Sequence, residues 1–137
     1  MANTDFYTNA FADNLRLAKS KVLLNPSDAT YNLIRIPKFA FVKNVWLQVI
    51  TACDVLPSNL TIGWLGNAET ANASGFMSFD VAYPIVKGLK RAQSDTKTTF
   101  EGKYFSGGSG AITLTYAVGT ATTVGTFRVF AEYIVIY

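Results

Sequence analysis

The C-terminal stretch Gly125-Thr-Phe-Arg-Val-Phe-Ala-Glu-Tyr-Ile-Val-Ile-Tyr137 decides how the rest of the chain is read. Side chains in a strand alternate between two faces, so Phe127, Val129, Ala131, Tyr133, Val135 and Tyr137 share one face. Arg128, Phe130, Glu132, Ile134 and Ile136 share the other. Both faces are largely apolar, which is the pattern of a strand covered on both sides. Such a strand belongs at the centre of a sandwich or against a neighbouring subunit.

Working upstream, Ala111–Ala117 sets Ile112, Leu114 and Tyr116 opposite Thr113 and Thr115, a half-buried strand. The glycines and threonines of 118–126 suit a hairpin turn between it and the last strand. Val42–Thr51 offers Val45, Leu47 and Val49 on one face, with Trp46 and Ile50 on the other. Tyr31–Ile36 is a short strand stopped by Pro37, and Leu60–Leu65 is bounded by Pro57 and Gly66. Weaker candidates are Leu17–Leu24, Tyr83–Val86 and Lys103–Phe105. About eight short strands between turn-rich segments predict an all-β sandwich or barrel. Residues 67–78 and 90–99 read as its longest loops, where binding surfaces usually lie.

The N-terminus has a different pattern. Phe6, Tyr7, Phe11, Asn14, Leu15 and Ala18 fall near helical spacing, with Thr4 or Asp5 available as a cap. A short helix is marginal in water unless it packs on something. Residues 1–24 are therefore expected to form an arm, helical or extended, lying on its own domain or on a neighbour. Residues 25–137 are expected to form the sandwich.

Composition frames these elements. Of 137 residues, 15% are charged and 50% hydrophobic, against an average of about 25% charged for soluble domains. A chain of this length is one domain by size and can bury a core without staples. The shortage of charge implies either that the fold hides an unusual share of its own surface or that other subunits cover part of it, which points to an assembling protein. No basic-then-apolar leader opens the chain, and Lys43, Asn44, Gln48 and Asp54 interrupt the longest apolar run, so neither a signal peptide nor a membrane span is expected. The expected product is soluble and made in a cytoplasm. A net charge of +3 is mildly basic, short of the cationic density of nucleic-acid binders.

The residue inventory narrows the chemistry. Histidine is absent, which removes Ser-His-Asp and Cys-His machinery and ordinary zinc or copper sites. Cys53 is the single cysteine and sits in an apolar run, as a small core residue does. Carboxylates such as Asp54, Glu69, Asp80, Asp95 and Glu101 could furnish a glycosidase pair, but nothing in their spacing requires one. Gly107-Gly-Ser-Gly110 lacks the ending of a phosphate loop and leads into a strand. Lys87-Gly-Leu-Lys-Arg91 is the densest basic cluster, read as a solvated loop edge or a contact for an acidic protein surface. Trp46 and Trp64 could stack on sugars, yet each sits within a strand pattern that favours packing.

The segment Ile36-Pro-Lys-Phe-Ala-Phe-Val42, together with Val45-Trp-Leu-Gln-Val49, resembles a passage of small tailed-bacteriophage virion proteins. Leu60-Thr-Ile-Gly63, the polar run Gly66–Asn72 and the pair Phe76-Met77 are similar to the next strand, polar loop and aromatic pair of those proteins. Ile112-Thr-Leu-Thr115 and Gly125–Tyr133 look like their closing strand pair. The resemblance spans about Leu33 to Tyr137, roughly three-quarters of the chain. It implies a jelly-roll-like antiparallel β-sandwich on the phage particle, assembling as a trimer over the major capsid protein.

The expected function is thus a non-enzymatic virion protein, a capsid decoration (cement) protein that oligomerises and stabilises the head. It needs no cofactor, metal, nucleic acid, membrane or small-molecule substrate. Tyr133, Val135 and Tyr137, with Phe127 and Phe130, are the expected oligomer contacts. Phe6, Tyr7, Phe11, Lys87, Lys90 and Arg91 are the expected capsid contacts. The competing expectation is a host-recognition or carbohydrate-binding sandwich using Trp46, Trp64 or residues 67–78.

Overall fold

A computed structural model of the chain describes residues 15–55, 57–66, 69–78, 86–91, 102–106, 108, 110–118 and 124–136. Ten strands appear among them: β1 (Leu15–Lys19), β2 (Leu23–Leu24), β3 (Ala29–Ile36), β4 (Ala40–Thr51), β5 (Asn59–Gly66), β6 (Glu69–Ser78), β7 (Gly88–Arg91), β8 (Lys103–Tyr104), β9 (Gly110–Ala117) and β10 (Thr126–Val135). Every pairing is antiparallel.

The first sheet runs β1-β10-β4-β7, with β2 also on β10 and β8 also on β4; the second runs β3-β9-β5-β6. Setting aside the two-residue strands β2 and β8, the order is first-eighth-third-sixth facing second-seventh-fourth-fifth. That is a long hairpin of four strand pairs rolled into two sheets, the jelly-roll topology. The all-β sandwich read from strand spacing is therefore present, in the jelly-roll form that the resemblance implied.

The core fills the space between the sheets, with Phe76, Phe105, Phe127, Ile36, Leu47 and Ile62 among its largest fully buried side chains. β10 lies centrally in the first sheet, flanked by β1 and β4. Its Phe127, Val129 and Ala131 point inward, while Arg128, Phe130 and Glu132 are half-buried on the outside. On β4 the inward set is Val45, Leu47 and Val49, then Val42 and Ala40. The change of parity occurs where Glu132 pairs with Asn44 but Tyr133 pairs with Val42, leaving Lys43 as the extra residue of a bulge.

Several sequence expectations give way. Leu15 and Ala18 belong to a strand, not a helix: Leu15–Lys19 pairs along Phe130–Ile134, and Ala18 packs against the core while Leu15 and Leu17 face out. Pairing with β10 satisfies backbone groups that an isolated helical turn would not hold stably in water. Residues 15–24 of the expected arm are thus part of the first sheet; Phe6, Tyr7, Phe11 and Asn14 lie outside the described residues. Ser20 continues this edge after β1 ends, its N–H donating to the Val129 carbonyl (2.8 Å) and its hydroxyl accepting from the Val129 N–H (2.9 Å).

The run 67–78, expected as a loop, contains β6, the edge strand of the second sheet. Its small and polar residues resemble loop composition, but they follow the ladder of β5 with two register breaks. Gly88–Arg91 of the basic cluster is likewise an edge strand, β7, paired with β4. The expected hairpin at 118–126 is not one, because β9 and β10 lie in opposite sheets and the connection crosses between them. Glycine and threonine serve such a crossing as well as a tight turn. In the Tyr83–Val86 candidate only Val86 is described, at a bend.

One core corner carries titratable groups. Cys53 is buried beside the Tyr116 hydroxyl, with the Tyr116 ring 5.8 Å from that of Phe127. Burial, above all, pushes the Cys53 thiol up, against the opposing influence of the Tyr116 hydroxyl. Burial likewise pushes the Tyr116 phenol well above its ordinary value, reinforced by Cys53. Both groups stay protonated in the folded chain at pH values where the unfolded chain ionises, so they favour folding at low pH and lose that contribution as pH rises. Stability should therefore fall once pH passes the ordinary thiol and phenol values, roughly 8.5 and 10. Urea midpoints measured from pH 7 to 11 test this: Tyr116→Phe should flatten the upper part of the decline, and an unchanged profile would contradict it. Native Cys53 should also resist alkylation until the chain unfolds.

Candidate assembly surface

The first sheet turns an apolar outer face to solvent. Register places Phe130 of β10 directly opposite Trp46 of β4, and Gln48 of β4 opposite Leu89 of β7. On the other side of β10, Leu17 of β1 sits opposite Glu132. Together Leu17, Trp46, Gln48, Leu89 and Phe130 line an open cleft of about 320 Å³. Leu17 is 72% exposed and Leu89 59%. Outer sandwich faces ordinarily alternate to polar residues, so a contiguous apolar cleft across four strands is a candidate interaction surface.

Polar groups bracket the cleft. Towards the C-terminal end of β10, Arg91 donates from Nε (3.1 Å) and Nη2 (2.7 Å) to the Asn44 side-chain oxygen. Asn44 in turn donates from Nδ2 to Glu132 Oε1 at 2.9 Å. This ladder ties β7, β4 and β10 together on the outer face. At the opposite end stands Arg128, paired in register with Gln48. Its Nε is buried and has no hydrogen-bond partner among the described residues.

Charge is distributed unevenly along the chain. Eleven of the twelve Lys and Arg residues fall on described positions. Of the carboxylates, Asp28, Asp54 and Glu132 have described side chains, and each already accepts a hydrogen bond. By sequence, residues 15–137 hold all twelve Lys and Arg against seven Asp and Glu, a net charge of +5, whereas residues 1–14 hold two aspartates and no Lys or Arg.

The residues expected from sequence to make oligomer contacts separate in space. Phe130 lies in the cleft. Tyr133 points inward and packs against the core, and Val135 is half-buried at the end of β10. Phe127 corrects the expectation: its side chain is fully buried between the sheets and has no surface to offer a second copy. Among the expected capsid contacts, Lys87, Lys90 and Arg91 run into and along β7, beside Leu89. Tyr137, Phe6, Tyr7 and Phe11 lie outside the described residues. The sequence reading missed Leu17, Leu89 and Arg128 as parts of one surface. The one available signal was a lone leucine within each basic run, Arg16-Leu-Ala-Lys19 and Lys87-Gly-Leu-Lys90.

Trp64 is built into packing. Its ring meets Phe76 edge-on at 5.1 Å, its Nε1–H donates to the Thr70 carbonyl at 2.9 Å, and the Lys103 ammonium lies 5.1 Å from the ring centre. Gly75 is so close that a Cβ there would fall 2.1 Å from Trp64 Cζ3. Among the described residues, no group of three Cys, Asp or Glu side chains converges as a metal site would require. No helix among them is long and apolar enough to cross a membrane.

The topology and this outer face define a jelly-roll sandwich with an apolar outer surface that no described residue covers. Chains of the same fold occur in the acidic stable capsid of Helicobacter pylori bacteriophage KHP30 (TM-score 0.65, 15% identity, 88% of this chain and 87% of that one). Others occur in the capsid asymmetric unit of cyanophage Pam1 (0.64, 18%, 90% and 86%) and the capsid of Ralstonia phage GP4 (0.63, 12%, 90% and 86%). At these identities the likeness is one of fold. No family model matches the chain, and no curated protein does.

Proposed function

We propose that this chain is a non-enzymatic structural protein of a bacteriophage particle, and specifically a head decoration protein that assembles with itself, as a trimer, over the shell of the major capsid protein. The observation that carries the reading is the pairing of a complete jelly roll, shared over most of its length with chains found in phage capsids, with an apolar cleft on its outer sheet. Phe130 and the end of β10, with Val135, Tyr137 and the exposed part of the half-buried Tyr133, supply self-contacts in this reading. The basic edge at Lys87, Lys90 and Arg91 faces an acidic surface of the shell. The packing around Trp64 favours assembly over sugar stacking at that ring, while Trp46 lies in the apolar cleft itself.

The mechanism is mass action. A protein that binds the assembled shell and not its separated subunits stabilises the shell by the free energy of that binding. Particles made from the genome that encodes this chain should contain it in fixed ratio to the major capsid protein. Adding the purified chain to heads stripped of it should raise the temperature at which they release DNA. Purified particles that lack the chain altogether would overturn the reading.

A further inference from the structure

We propose that the cleft on the outer face of the first sheet receives residues 1–14 of a second copy of this chain, with Phe6, Tyr7 and Phe11 filling the apolar floor and Asp5 or Asp13 meeting Arg128. This rests on the self-assembly part of the proposed function, and it moves Phe6, Tyr7 and Phe11 from the capsid to a neighbouring copy.

Three observations select this occupant. The first is chemical fit. The cleft floor is Leu17, Trp46, Leu89 and Phe130, and Arg128 at its rim has a buried Nε without a partner among the described residues. Residues 1–14 carry three aromatic rings, two aspartates and no Lys or Arg. An acidic, aromatic segment thus complements a cationic sandwich with an apolar cleft, and an aspartate on Arg128 would form a charge-assisted hydrogen bond.

The second observation is where the described chain begins. Leu15 pairs with Ile134, whereas the cleft is centred near Phe130, which pairs with Lys19. At Leu15 the strand therefore runs away from the cleft's centre at Phe130, Leu17 being the β1 residue on the cleft wall. Reaching its own cleft would need a reversal, which reaching the cleft of a second copy does not.

The third is reach. Fourteen residues extend up to about 46 Å, while four strands side by side span only about 14 Å between their outer axes. The segment can cross a neighbour's whole outer sheet with length to spare. Each copy then gives one segment and receives one, a head-to-tail contact that closes into a ring when the rotation between copies permits. A trimer is such a ring.

The test uses the full chain and mixes two single variants. Phe11→Cys, and in parallel Phe6→Cys, is mixed with a size-tagged chain carrying Leu89→Cys and mildly oxidised; native Cys53 is buried and stays silent. The expected result is a disulfide-linked pair of one tagged and one untagged chain from at least one mixture. A control chain carrying Phe11→Cys and Leu89→Cys together is oxidised in parallel; cross-linking found only within that double variant would overturn the proposal, as would none from either position. Light scattering supplies the second measurement. Deletion of residues 1–14, or Leu89→Asp at the exposed edge, should drop the mass to that of one chain while the strand signal in circular dichroism persists. An oligomer unaffected by both changes overturns the exchange, and so does a full-length chain that is monomeric. Neither result bears on whether the chain is in the particle, and a chain missing from particles that still exchanges arms would sink only the function.

Discussion

Gly63→Val should lower the stability of this sandwich by about 3 kcal/mol or more, at the upper end of what overpacking costs. A Cβ at Gly63 would lie 1.8 Å from the Asn72 carbonyl oxygen, 2.5 Å from the Ala73 carbonyl carbon and 2.7 Å from its oxygen. These are main-chain atoms of the paired strand, so no rotamer change relieves the clash. The crowding arises because the β5–β6 ladder passes from Ile62↔Met77 to Trp64↔Asn72, with the extra residues of β6 accommodated over Gly63. Relief requires β6 to move off β5, and that would also disturb the Trp64 contacts to Thr70 and Phe76. Thermal unfolding should show a midpoint lower by about 10 °C, at roughly 3–4 °C per kcal/mol for a domain of this size. Gly88→Ala is the informative contrast. Gly88 has φ of +139° but nothing within 4 Å of an added Cβ, so its cost is conformational, about 1–3 kcal/mol. An unchanged midpoint for Gly63→Val would mean that β6 leaves its register freely.

That region also shows what sequence pattern can and cannot carry. β3, β4, β5, β9 and β10 are legible because large apolar residues alternate over six or more positions, the strongest strand signal. β6 and β7 are not legible. β7 buries little, and β6 buries only Phe76 and Met77 near its end; Ala, Asn, Ser, Gly and Lys at the other edge positions look the same as loop residues. The sheet to which a strand belongs is also not local information: Gly119–Gly125 reads as a turn whether β10 folds back beside β9 or crosses to the other sheet. The assembly surface failed for the same reason. Leu17, Trp46, Leu89 and Phe130 come from four strands, and only the register of the jelly roll makes them neighbours. Alternation correctly separated Phe127 from Phe130, but parity alone does not say which face is inside. Phe127, Val129 and Ala131 proved to be the inner set, and the interface expectation had drawn on both faces.

The two phenylalanines of β10 therefore make opposite predictions. Phe127→Ala removes a fully buried ring that contacts Tyr116 and lies near Gly125, leaving a void between the sheets. Losses for Phe→Ala at such sites are about 3–5 kcal/mol, so the denaturant midpoint of the chain itself should fall sharply. Any oligomer would be lost only to the extent that the subunit unfolds. Phe130→Ala leaves the core intact and removes part of the cleft wall, so the folding midpoint should shift by about 1 kcal/mol or less. If the cleft is the proposed self-contact, an aromatic anchor at its centre is worth about 2 kcal/mol or more to association. The concentration at which the oligomer dissociates should then rise by roughly 30-fold. Measuring both variants by chemical unfolding and by dilution in light scattering separates the roles. A Phe127→Ala chain that folds as stably as the parent yet no longer associates would place Phe127 at the interface after all and reverse the assignment of the two faces of β10.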